Sequence, residues 1–372
     1  MNPTIGTIGI IGVGYVGLSL AKTFSKKYDV IAFDISKERI NLLKDTKSLS
    51  SHNIIFTNNE NLLKVCEVYI IAVPTNIDEN KQVNLSHLYS VKQTIKKFLK
   101  PNDMIIIESS IYVGGTREIL GDLLKDNISI CMSPERISPG THEDANTIPK
   151  IVSGLNKSSL EAIQSLYDSV FKIIVPVSSC EVAEMCKLYE NCFRVVNIAY
   201  INEIADLCKL NNINVGEVIA ASSTKPFGFM PFYPGFGVGG SCLPQNPYFL
   251  MNNLENPAQT MPILNTSINI LENRSRKRAF EINHDNILFI GIGFKPNQTL
   301  TLFSPALDLY NELIKLKKKV FLYDPLLNIN KDFDFSIYNL LKFDCIIIGN
   351  KMDCLDYKII NLYKQQKEVI DC

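Results

Sequence analysis

Short apolar runs alternate, through the first half of the chain, with segments in which apolar and polar residues mix at helical spacing. The runs lie at residues 5–11, 30–33, 68–73, 104–108 and 128–132. Runs this short, joined by helical segments, are typical of strands in a parallel sheet that helices cover on both faces. The pattern therefore predicts a doubly wound α/β domain, which we place at residues 1–176.

The pattern changes near residue 179. A helical segment without glycine or proline covers residues 179–211, and another helical stretch follows at about 258–282. Apolar runs of the strand type then return at residues 286–290, 319–323 and 344–348. We therefore predict a central long-helix domain at residues 177–282 and a smaller α/β domain at residues 283–372.

The first apolar run leads into Gly12, Gly14 and Gly17, spaced as G-x-G-x-x-G, and a helical segment follows. In a Rossmann-type unit these glycines allow a tight turn, close approach of a pyrophosphate and close packing of helix on strand. The second run ends at Asp34, where a carboxylate binds the ribose hydroxyls of a dinucleotide and repels a 2′-phosphate. The order predicts an NAD site, the alternative being a glycine-rich turn and an unrelated surface acid.

Polar or proline residues follow three further predicted strands. Pro74 and Thr75 follow one strand, Ser110 the next, and Glu135 the third. Ligands of doubly wound sheets bind beyond the carboxyl ends of the strands. Each of these residues alone is a plausible cap or turn residue, but as a set they are expected to line one edge of the sheet.

Composition narrows the function further. The chain has 372 residues, 38 basic and 38 acidic, so no global charge favours nucleic acid or an anionic membrane. No apolar run is long enough to span a bilayer, and no secretory signal is visible. The ten cysteines form no CxxC pair and the four histidines are isolated in sequence, so we predict no metal site and a reducing, cytoplasmic location.

A glycine-rich loop at residues 235–240 leads to Cys242, which Pro244 and Pro247 follow. Glycine is used where the backbone passes close to a ligand, and proline stiffens the exit of a loop. The loop is a candidate for presenting a nucleophilic thiol. The alternative is an ordinary turn with an inert cysteine, since many cysteines are only small apolar side chains.

The long helix carries Glu184, Lys187, Asn191 and Arg194 at steps of three, four and three, which places them on one face. On most helices such a stripe is a solvated face. The rest of this helix is strongly apolar, so we predict that it is buried at a domain or subunit interface. A buried lysine requires a partner or a chemical role.

On these residues the chain resembles the UDP-glucose/GDP-mannose dehydrogenase family, the nucleotide-sugar 6-dehydrogenases, over nearly its whole length. The supporting motifs are the glycine motif, Val-Pro-Thr at 73–75, Glu-Ser-Ser at 108–110, Ser-Pro-Glu-Arg at 133–136, the helix segment 183–191 and Gly-Gly-Ser-Cys-Leu-Pro at 239–244. Pro139-Gly140 and residues 229–235 look closer to the UDP-N-acetylhexosamine branch than to the UDP-glucose branch.

The resemblance implies roles for individual residues. It implies that Cys242 is the nucleophile, that Lys187 and Asn191 are catalytic, and that Glu135 and Ser110 help to place water and substrate. The residues implied to bind the cofactor are Gly12, Gly14, Tyr15, Val16, Gly17, Asp34, Arg39, Pro74, Thr75 and Ser110. The residues implied to bind the UDP-sugar are Glu135, Arg136, Lys187, Asn191, Phe232, Tyr233, Gly239 and Lys295.

The chain departs from the family pattern at three places. Asn246 stands where the family usually has aspartate, and Gln245 where it often has lysine. The segment 299–305 lacks the arginine that the family usually has in its third domain. These changes lie in segments that the resemblance assigns to substrate contacts and thioester hydrolysis.

The resemblance implies a four-electron oxidation of a UDP-sugar, by preference a UDP-N-acetylhexosamine, at C6 with two NAD⁺ through a cysteine thioester. Separately, the long helix has more apolar surface than one small domain can cover, which predicts a homodimer packed through it. The alternatives are a UDP-glucose 6-dehydrogenase, a two-electron hydroxyacid dehydrogenase, which needs neither Cys242 nor a third domain, and a nucleotide-sugar-binding homologue with weakened catalysis.

Overall fold

The computed structural model describes residues 6–46, 53–137 and 145–371. The chain separates into two compact units: Met1–Glu190 with Tyr248–Asn253, and Asn191–Pro247 with Leu254–Cys372. The sequence prediction divides the chain at residues 176 and 282 instead of within the long helix, and that three-domain division stays a prediction. Within the described ranges, no helix is both long and apolar enough to cross a membrane.

The first unit is built on an eight-stranded sheet with a small two-stranded hairpin beside it. Its strands are β1 Thr7–Ile11, β2 Asp29–Phe33, β3 Ile54–Thr57, β4 Val68–Ile71, β5 Asn76–Ile77, β6 Val83–Asn84, β7 Met104–Ile107, β8 Ser129–Met132, β9 Lys150–Gly154 and β10 Ile174–Pro176. Its helices are α1 Tyr15–Phe24, α2 Lys37–Lys44, α3 Ser86–Lys96, α4 Gly115–Leu120, α5 Lys157–Asp168 and the start of α6 Cys180–Leu210.

The order of strands in the large sheet is β10-β9-β8-β7-β4-β1-β2-β3. Within this sheet, neighbouring strands from β3 through β2, β1, β4 and β7 to β8 pair parallel, as do β9 and β10. The β8–β9 pair is antiparallel. The strand order reverses at β1, which pairs with β2 on one side and β4 on the other. This is the switch point at which doubly wound sheets bind dinucleotides. Two buried apolar clusters cover the faces of the sheet, so its strands are apolar throughout.

The second unit is built on a four-stranded parallel sheet in the order β12-β11-β13-β14. Its strands are β11 Asn286–Ile290, β12 Lys319–Tyr323, β13 Cys345–Ile348 and β14 Glu368–Asp371. The helices after α6 are α7 Val215–Ser222, α8 Asn246–Met251, α9 Pro257–Thr260, α10 Pro262–Glu272, α11 Arg274–Glu281, α12 Pro305–Lys315, α13 Ile337–Leu340 and α14 Tyr357–Lys364.

The structure confirms the predicted α/β class and the long helix, and it adds elements that the apolar pattern did not reveal. These are β9 and the two short edge strands of the large sheet, β3 and β10. The predicted helical stretch at about 258–282 is three helices, because Pro262 and Asn273 begin new segments. Short edge strands carry too few apolar residues to stand out from their surroundings.

Candidate active site

The glycine motif lies in the turn between β1 and α1. Gly12 has a φ of +87°, and a Cβ on it would lie 2.7 Å from the carbonyl oxygen of Ala72. A Cβ on Gly17 would lie 1.8 Å from the carbonyl oxygen of Gly12. Both positions therefore require glycine, the first for the turn and the second for the packing of α1 on the loop.

The N-terminus of α1 is open to a ligand. Gly14 precedes the helix without any side-chain cap, and a Cβ there would meet no atom within 4 Å. Gly14 and Tyr15 are exposed, and Val16 is half-buried. Uncapped backbone N–H groups and the positive end of the helix dipole favour an anion, so this end of α1 fits a pyrophosphate.

Asp34, at the end of β2, fixes the glycine loop. Its Oδ2 accepts a hydrogen bond of 2.8 Å from the backbone N–H of Val13, and its Oδ1 accepts one of 2.9 Å from Ser36. The Nε of Arg39 donates to the carbonyl of Val13 at 2.9 Å. The loop is thus held from both sides by residues that the sequence analysis assigned to the cofactor, and the Asp34 carboxylate lies where this fold binds a ribose.

The register of the sheet brings the remaining predicted cofactor residues to one edge. Ile11, Ile71, Ile107 and Met132 are successive partners across β1, β4, β7 and β8. The segments that follow these strands, which contain Pro74, Thr75, Ser110 and Glu135, therefore leave the same edge of the sheet. Buried Ser109 ties two of them together, because its Oγ donates to the carbonyl of Val73 at 2.7 Å.

Glu135 is buried and belongs to a charged cluster. Its Oε1 accepts hydrogen bonds of 2.6 Å from the backbone N–H groups of Arg136 and Ile137, and its Oε2 lies 3.2 Å from the Nζ of Lys150. Burial alone would raise the pKa of Glu135, but the Lys150 ammonium and the two backbone donors outweigh it and lower the pKa. The carboxylate is therefore held in its ionised form.

Two further residues belong to this cluster: Glu108, which directly follows β7, and Tyr167, on α5. The sequence analysis quoted Glu108 only as part of a motif and did not single out Lys150 or Tyr167. The Nζ of Lys150 lies 2.5 Å from Oε2 of Glu108, and the hydroxyl of Tyr167 donates to Oε1 of Glu108 at 2.6 Å. No local pattern marks these residues, since they are far apart in sequence.

Lys187, on α6, contacts the same segment. Its Nζ donates a hydrogen bond of 2.5 Å to the backbone carbonyl of Glu135. Arg136 is held by Glu190, with Nη2 2.6 Å from Oε1, and its Nη1 donates to the carbonyl of Pro149 at 2.8 Å. The first unit thus gathers three of the predicted substrate residues around one short segment after β8. Pro139-Gly140 lies outside the described residues.

The first residue of the predicted polar stripe, Glu184, has a structural position. It is buried, and its carboxylate accepts hydrogen bonds from the backbone N–H groups of Gly114 at 2.6 Å and Thr116 at 2.9 Å. These donors belong to the N-terminus of α4, so Glu184 caps that helix. The stripe therefore combines a helix-capping residue with Lys187 and Asn191, whose catalytic roles stay a prediction.

In the second unit, Cys242 lies in the turn that enters α8. The backbone N–H groups of Gln245 and Asn246 donate to the carbonyl of Cys242 at 3.2 and 2.9 Å, and the side chain of Gln245 donates to the carbonyl of Ser241 at 2.9 Å. Cys242 is half-buried. Gln245, where the family often has lysine, is thus a buried residue that fixes the shape of the cysteine turn.

Asn191 and Asn246 form a buried pair in the same unit. The Nδ2 of Asn191 donates to the Oδ1 of Asn246 over 2.5 Å, and their exposures are 6% and 2%. The oxygen of Asn246 takes the position that one carboxylate oxygen of an aspartate would take. The departure at position 246 therefore keeps the hydrogen bond to Asn191 and removes a negative charge.

Lys295 interacts electrostatically with Cys242 and Arg194. Burial, and then the positive charge of Arg194, lower the pKa of Lys295, while Cys242 acts in the opposite direction. Lys295, which the sequence analysis assigned to substrate, is therefore close enough to Cys242 to interact with it electrostatically.

The other predicted substrate residues of this unit lie in the loop that leads to the cysteine. Phe232 packs edge-on against Phe193 with ring centroids 5.9 Å apart, and Tyr233 is exposed. Gly239 is half-buried, and the next residue, Gly240, donates its N–H to the carbonyl of Leu302 at 3.1 Å. The glycine loop is therefore attached to the segment that contains the family's third-domain motif.

The fold also brings together three side chains that are distant in sequence. Ligand atoms of His284, Cys345 and Glu368 lie within 4.8 Å of one another. The Nε2 of His284 lies 2.8 Å from Oε2 of Glu368, and burial raises the pKa of Cys345 to about 12. A thiol that is hard to ionise is a poor metal ligand, so this group is not a good candidate for a metal site.

Comparison with known proteins agrees with this geometry. The profile of the UDP-glucose/GDP-mannose dehydrogenase family, NAD binding domain, matches residues 6–171, and that of the family's central domain matches residues 181–273. The chain belongs to this family. The predicted family, the Rossmann-type fold and NAD as cofactor are confirmed, and the protein is an NAD-dependent dehydrogenase.

Named relatives and solved structures cover most of the chain. A UDP-N-acetyl-D-glucosamine 6-dehydrogenase of Pseudomonas aeruginosa is 33% identical over 86% of this chain and 82% of its own. A UDP-N-acetyl-D-mannosamine dehydrogenase of Methanocaldococcus jannaschii is 30% identical over 90% of this chain and 82% of its own. The structure of a UDP-D-ManNAc dehydrogenase from Pyrococcus horikoshii aligns with a TM-score of 0.86 at 27% identity, covering 98% of this chain and 94% of that one.

Proposed function

We propose that this protein oxidises the C6 hydroxyl of a UDP-N-acetylhexosamine to the carboxylate in a four-electron reaction that passes through a thioester on Cys242. The single observation that carries the mechanism is the half-buried thiol of Cys242, held in a turn that is fixed by hydrogen bonds from Gln245 and Asn246. A two-electron hydroxyacid dehydrogenase has no use for such a thiol. The named relatives support the choice of a UDP-N-acetylhexosamine.

The glycine loop and Asp34 would hold NAD⁺, which would supply the hydride acceptor for both oxidations. Cys242 as thiolate adds to the C6 aldehyde, forming a C–S bond and leaving the oxygen as an alkoxide. Lys187 and Asn191 are the proposed donors to this oxygen, and one donor of this kind is typically worth about 3 kcal/mol in the transition state. After the second hydride has left C6, the same carbon is the acyl carbon of a thioester.

Glu135 is the proposed base for hydrolysis of the thioester. It takes a proton from water as the water oxygen bonds to the acyl carbon, and the C–S bond then breaks to release Cys242 as thiolate. Two backbone donors and Lys150 hold the Glu135 carboxylate ionised, which the base must be before it accepts a proton. Ser110, at the neighbouring strand end, is proposed to help in placing water.

We further propose a homodimer that forms through α6. Large apolar side chains on this helix remain exposed in the single chain: Val182, Met185, Tyr189, Phe193, Tyr200, Leu207 and Leu210. The steps of seven between Phe193, Tyr200 and Leu207 place these three residues on one face. Exposed apolar faces of this kind are typical of subunit interfaces.

A reducing cytoplasm is the proposed location. The nine cysteines of the described part of the chain are all free thiols, including Cys242, which must be reduced to react. This location supplies the thiol state that the mechanism needs.

A substrate panel tests the proposal. Purified protein is incubated with NAD⁺ and, in turn, UDP-N-acetylglucosamine, UDP-N-acetylmannosamine, UDP-N-acetylgalactosamine, UDP-glucose and small 2-hydroxy acids, and NADH absorbance is followed. We expect the highest kcat/KM with a UDP-N-acetylhexosamine. Faster turnover of UDP-glucose would reject the substrate branch. Oxidation of hydroxy acids that survives Cys242→Ser would reject the mechanism, and binding without NADH would favour a non-catalytic homologue.

A further inference from the structure

The charged side chains around Lys150 are almost completely buried. The exposed fractions of the side chains are 4% for Lys150, 0% for Glu108 and 10% for Glu135. Moving any one of these charges out of water unpaired would cost several kcal/mol or more. The cluster is therefore stable only as a unit in which each charge faces an opposite one.

Lys150 contacts both carboxylates. Its Nζ lies 2.5 Å from Oε2 of Glu108 and 3.2 Å from Oε2 of Glu135, and it also donates to the carbonyl of Pro134 at 3.4 Å. The ring of Phe171, on the α5 side, lies 5.8 Å from the Nζ. Lysine at the first position of β9 thus bridges the strand ends of β7 and β8.

One cation facing two buried carboxylates divides their protonation. Burial raises the pKa of Glu108 to about 7, in spite of the opposing charge of Lys150. The pKa of Glu135 is lowered, since Lys150 and the backbone donors outweigh burial there. Burial would lower the pKa of Lys150, but the two carboxylates outweigh it and raise the pKa. As pH falls through neutrality, Glu108 therefore takes a proton before Glu135 does.

We propose that Lys150 is a positioning residue for Glu135, because its ammonium keeps the Glu135 carboxylate ionised and fixes its orientation. Glu108, which accepts a hydrogen bond from Tyr167, is the member of the buried cluster that takes up the proton. The inference rests on the proposed role of Glu135 as the base of thioester hydrolysis. The other charged groups at this segment are Lys187, on the main-chain carbonyl of Glu135, and the Arg136–Glu190 ion pair, and neither is changed in the Lys150 variants.

The experiment measures hydrolysis directly. Enzyme, NAD⁺ and a limiting UDP-N-acetylhexosamine are mixed at a series of pH values from about pH 3.5 to pH 9 and quenched in acid at intervals. The acyl adduct on Cys242 is followed by intact mass. The variant Lys150→Met leaves two buried carboxylates without a cation, so the acid limb of the hydrolysis rate should move up by at least about one pH unit. At pH values below the shifted limb the adduct should accumulate, and raising the pH above the limb should discharge it.

Two variants are matched controls. Lys150→Arg keeps the charge, and Glu108→Gln removes an acid that already carries its proton when Glu135 titrates, so the acid limb should stay within about 0.3 pH unit in both. If Lys150→Met does not fold, Lys150→Met combined with Glu108→Gln leaves a single buried carboxylate. That double variant should show the upward shift relative to Glu108→Gln alone.

The outcomes separate the two proposals. A slower but unshifted profile in the Lys150→Met variants, with Glu135→Gln trapping the adduct, would overturn the role of Lys150 and leave the function standing. If Glu135→Gln hydrolyses its adduct at the wild-type rate, Glu135 is not the base and the proposed function fails at that step. A shifted limb in Lys150→Met with a trapped adduct in Glu135→Gln supports both.

Discussion

The side-chain amide of Asn191 donates a hydrogen bond to the side-chain oxygen of Asn246, and both residues are buried. Asn246 is also the first residue of α8, and its backbone N–H is bonded to the carbonyl of Cys242. The pair therefore connects a proposed catalytic residue of α6 with the turn that presents the thiol. Asparagine at position 246 makes this connection without a charge, where the family usually has a carboxylate.

Introducing the charge should weaken the thiol. In Asn246→Asp the new carboxylate accepts the same hydrogen bond but disfavours a second negative charge nearby, so Cys242 should form less thiolate. We expect alkylation of Cys242 by iodoacetamide at pH 7 to slow about threefold or more, as measured by intact mass. Asn246→Ala is the control, since it removes the bond without adding charge. Equal slowing in both variants would show that the shape of the turn, and not charge, controls the thiol.

Cofactor choice should depend on Asp34. Asp34→Ala removes the carboxylate that is expected to bind the ribose and also frees the Val13 amide, so kcat/KM for NAD⁺ should fall at least about tenfold and the preference over NADP⁺ should shrink. Asp324→Ala is a matched control. The Oδ2 of Asp324 accepts a hydrogen bond of 3.0 Å from the backbone N–H of Ile292, which lies between Gly291 and Gly293 in the loop after β11 of the second unit. It should lower stability and leave the cofactor ratio unchanged. Comparable kcat/KM for both cofactors in the wild type would refute the assignment.

Assembly should depend on the exposed face of α6. Tyr200→Lys combined with Leu207→Lys places two charges on the face that the dimer would bury, so light scattering at micromolar concentration should show a monomer. Tyr338→Lys changes an equally prominent exposed residue elsewhere, with 74% exposure, and should leave the dimer intact. A wild-type monomer under the same conditions would remove the proposed interface.

The sequence predicted the parts of the site that a local pattern encodes. The glycine motif, Asp34 and the strand-end residues follow one another in a fixed order, and a parallel sheet brings its strand ends to one edge. Lys150 and Tyr167 follow no such order. Their contacts with Glu108 depend on β9 and α5, and β9 pairs antiparallel with β8 in a part of the sheet that the apolar pattern did not show.

The hydrogen bond between Asn191 and Asn246 likewise could not be predicted from a local sequence pattern. Each residue was recognisable separately, one from the helix stripe and one as a departure from the family motif. Their hydrogen bond depends on the path of the chain through α7 and the glycine loop, for which no periodic signal exists. Asp324 and Gly291 in the second unit likewise repeat the arrangement of Asp34 and Gly12.

The stoichiometry of NADH per sugar tests the central claim most directly. With the UDP-N-acetylhexosamine limiting and NAD⁺ in excess, the wild type should form two NADH and one carboxylate per sugar. Cys242→Ser should form no carboxylate and at most one NADH, because without the thioester the second oxidation has no covalent intermediate. One NADH per sugar with free aldehyde in the wild type, or two in Cys242→Ser, would contradict the account.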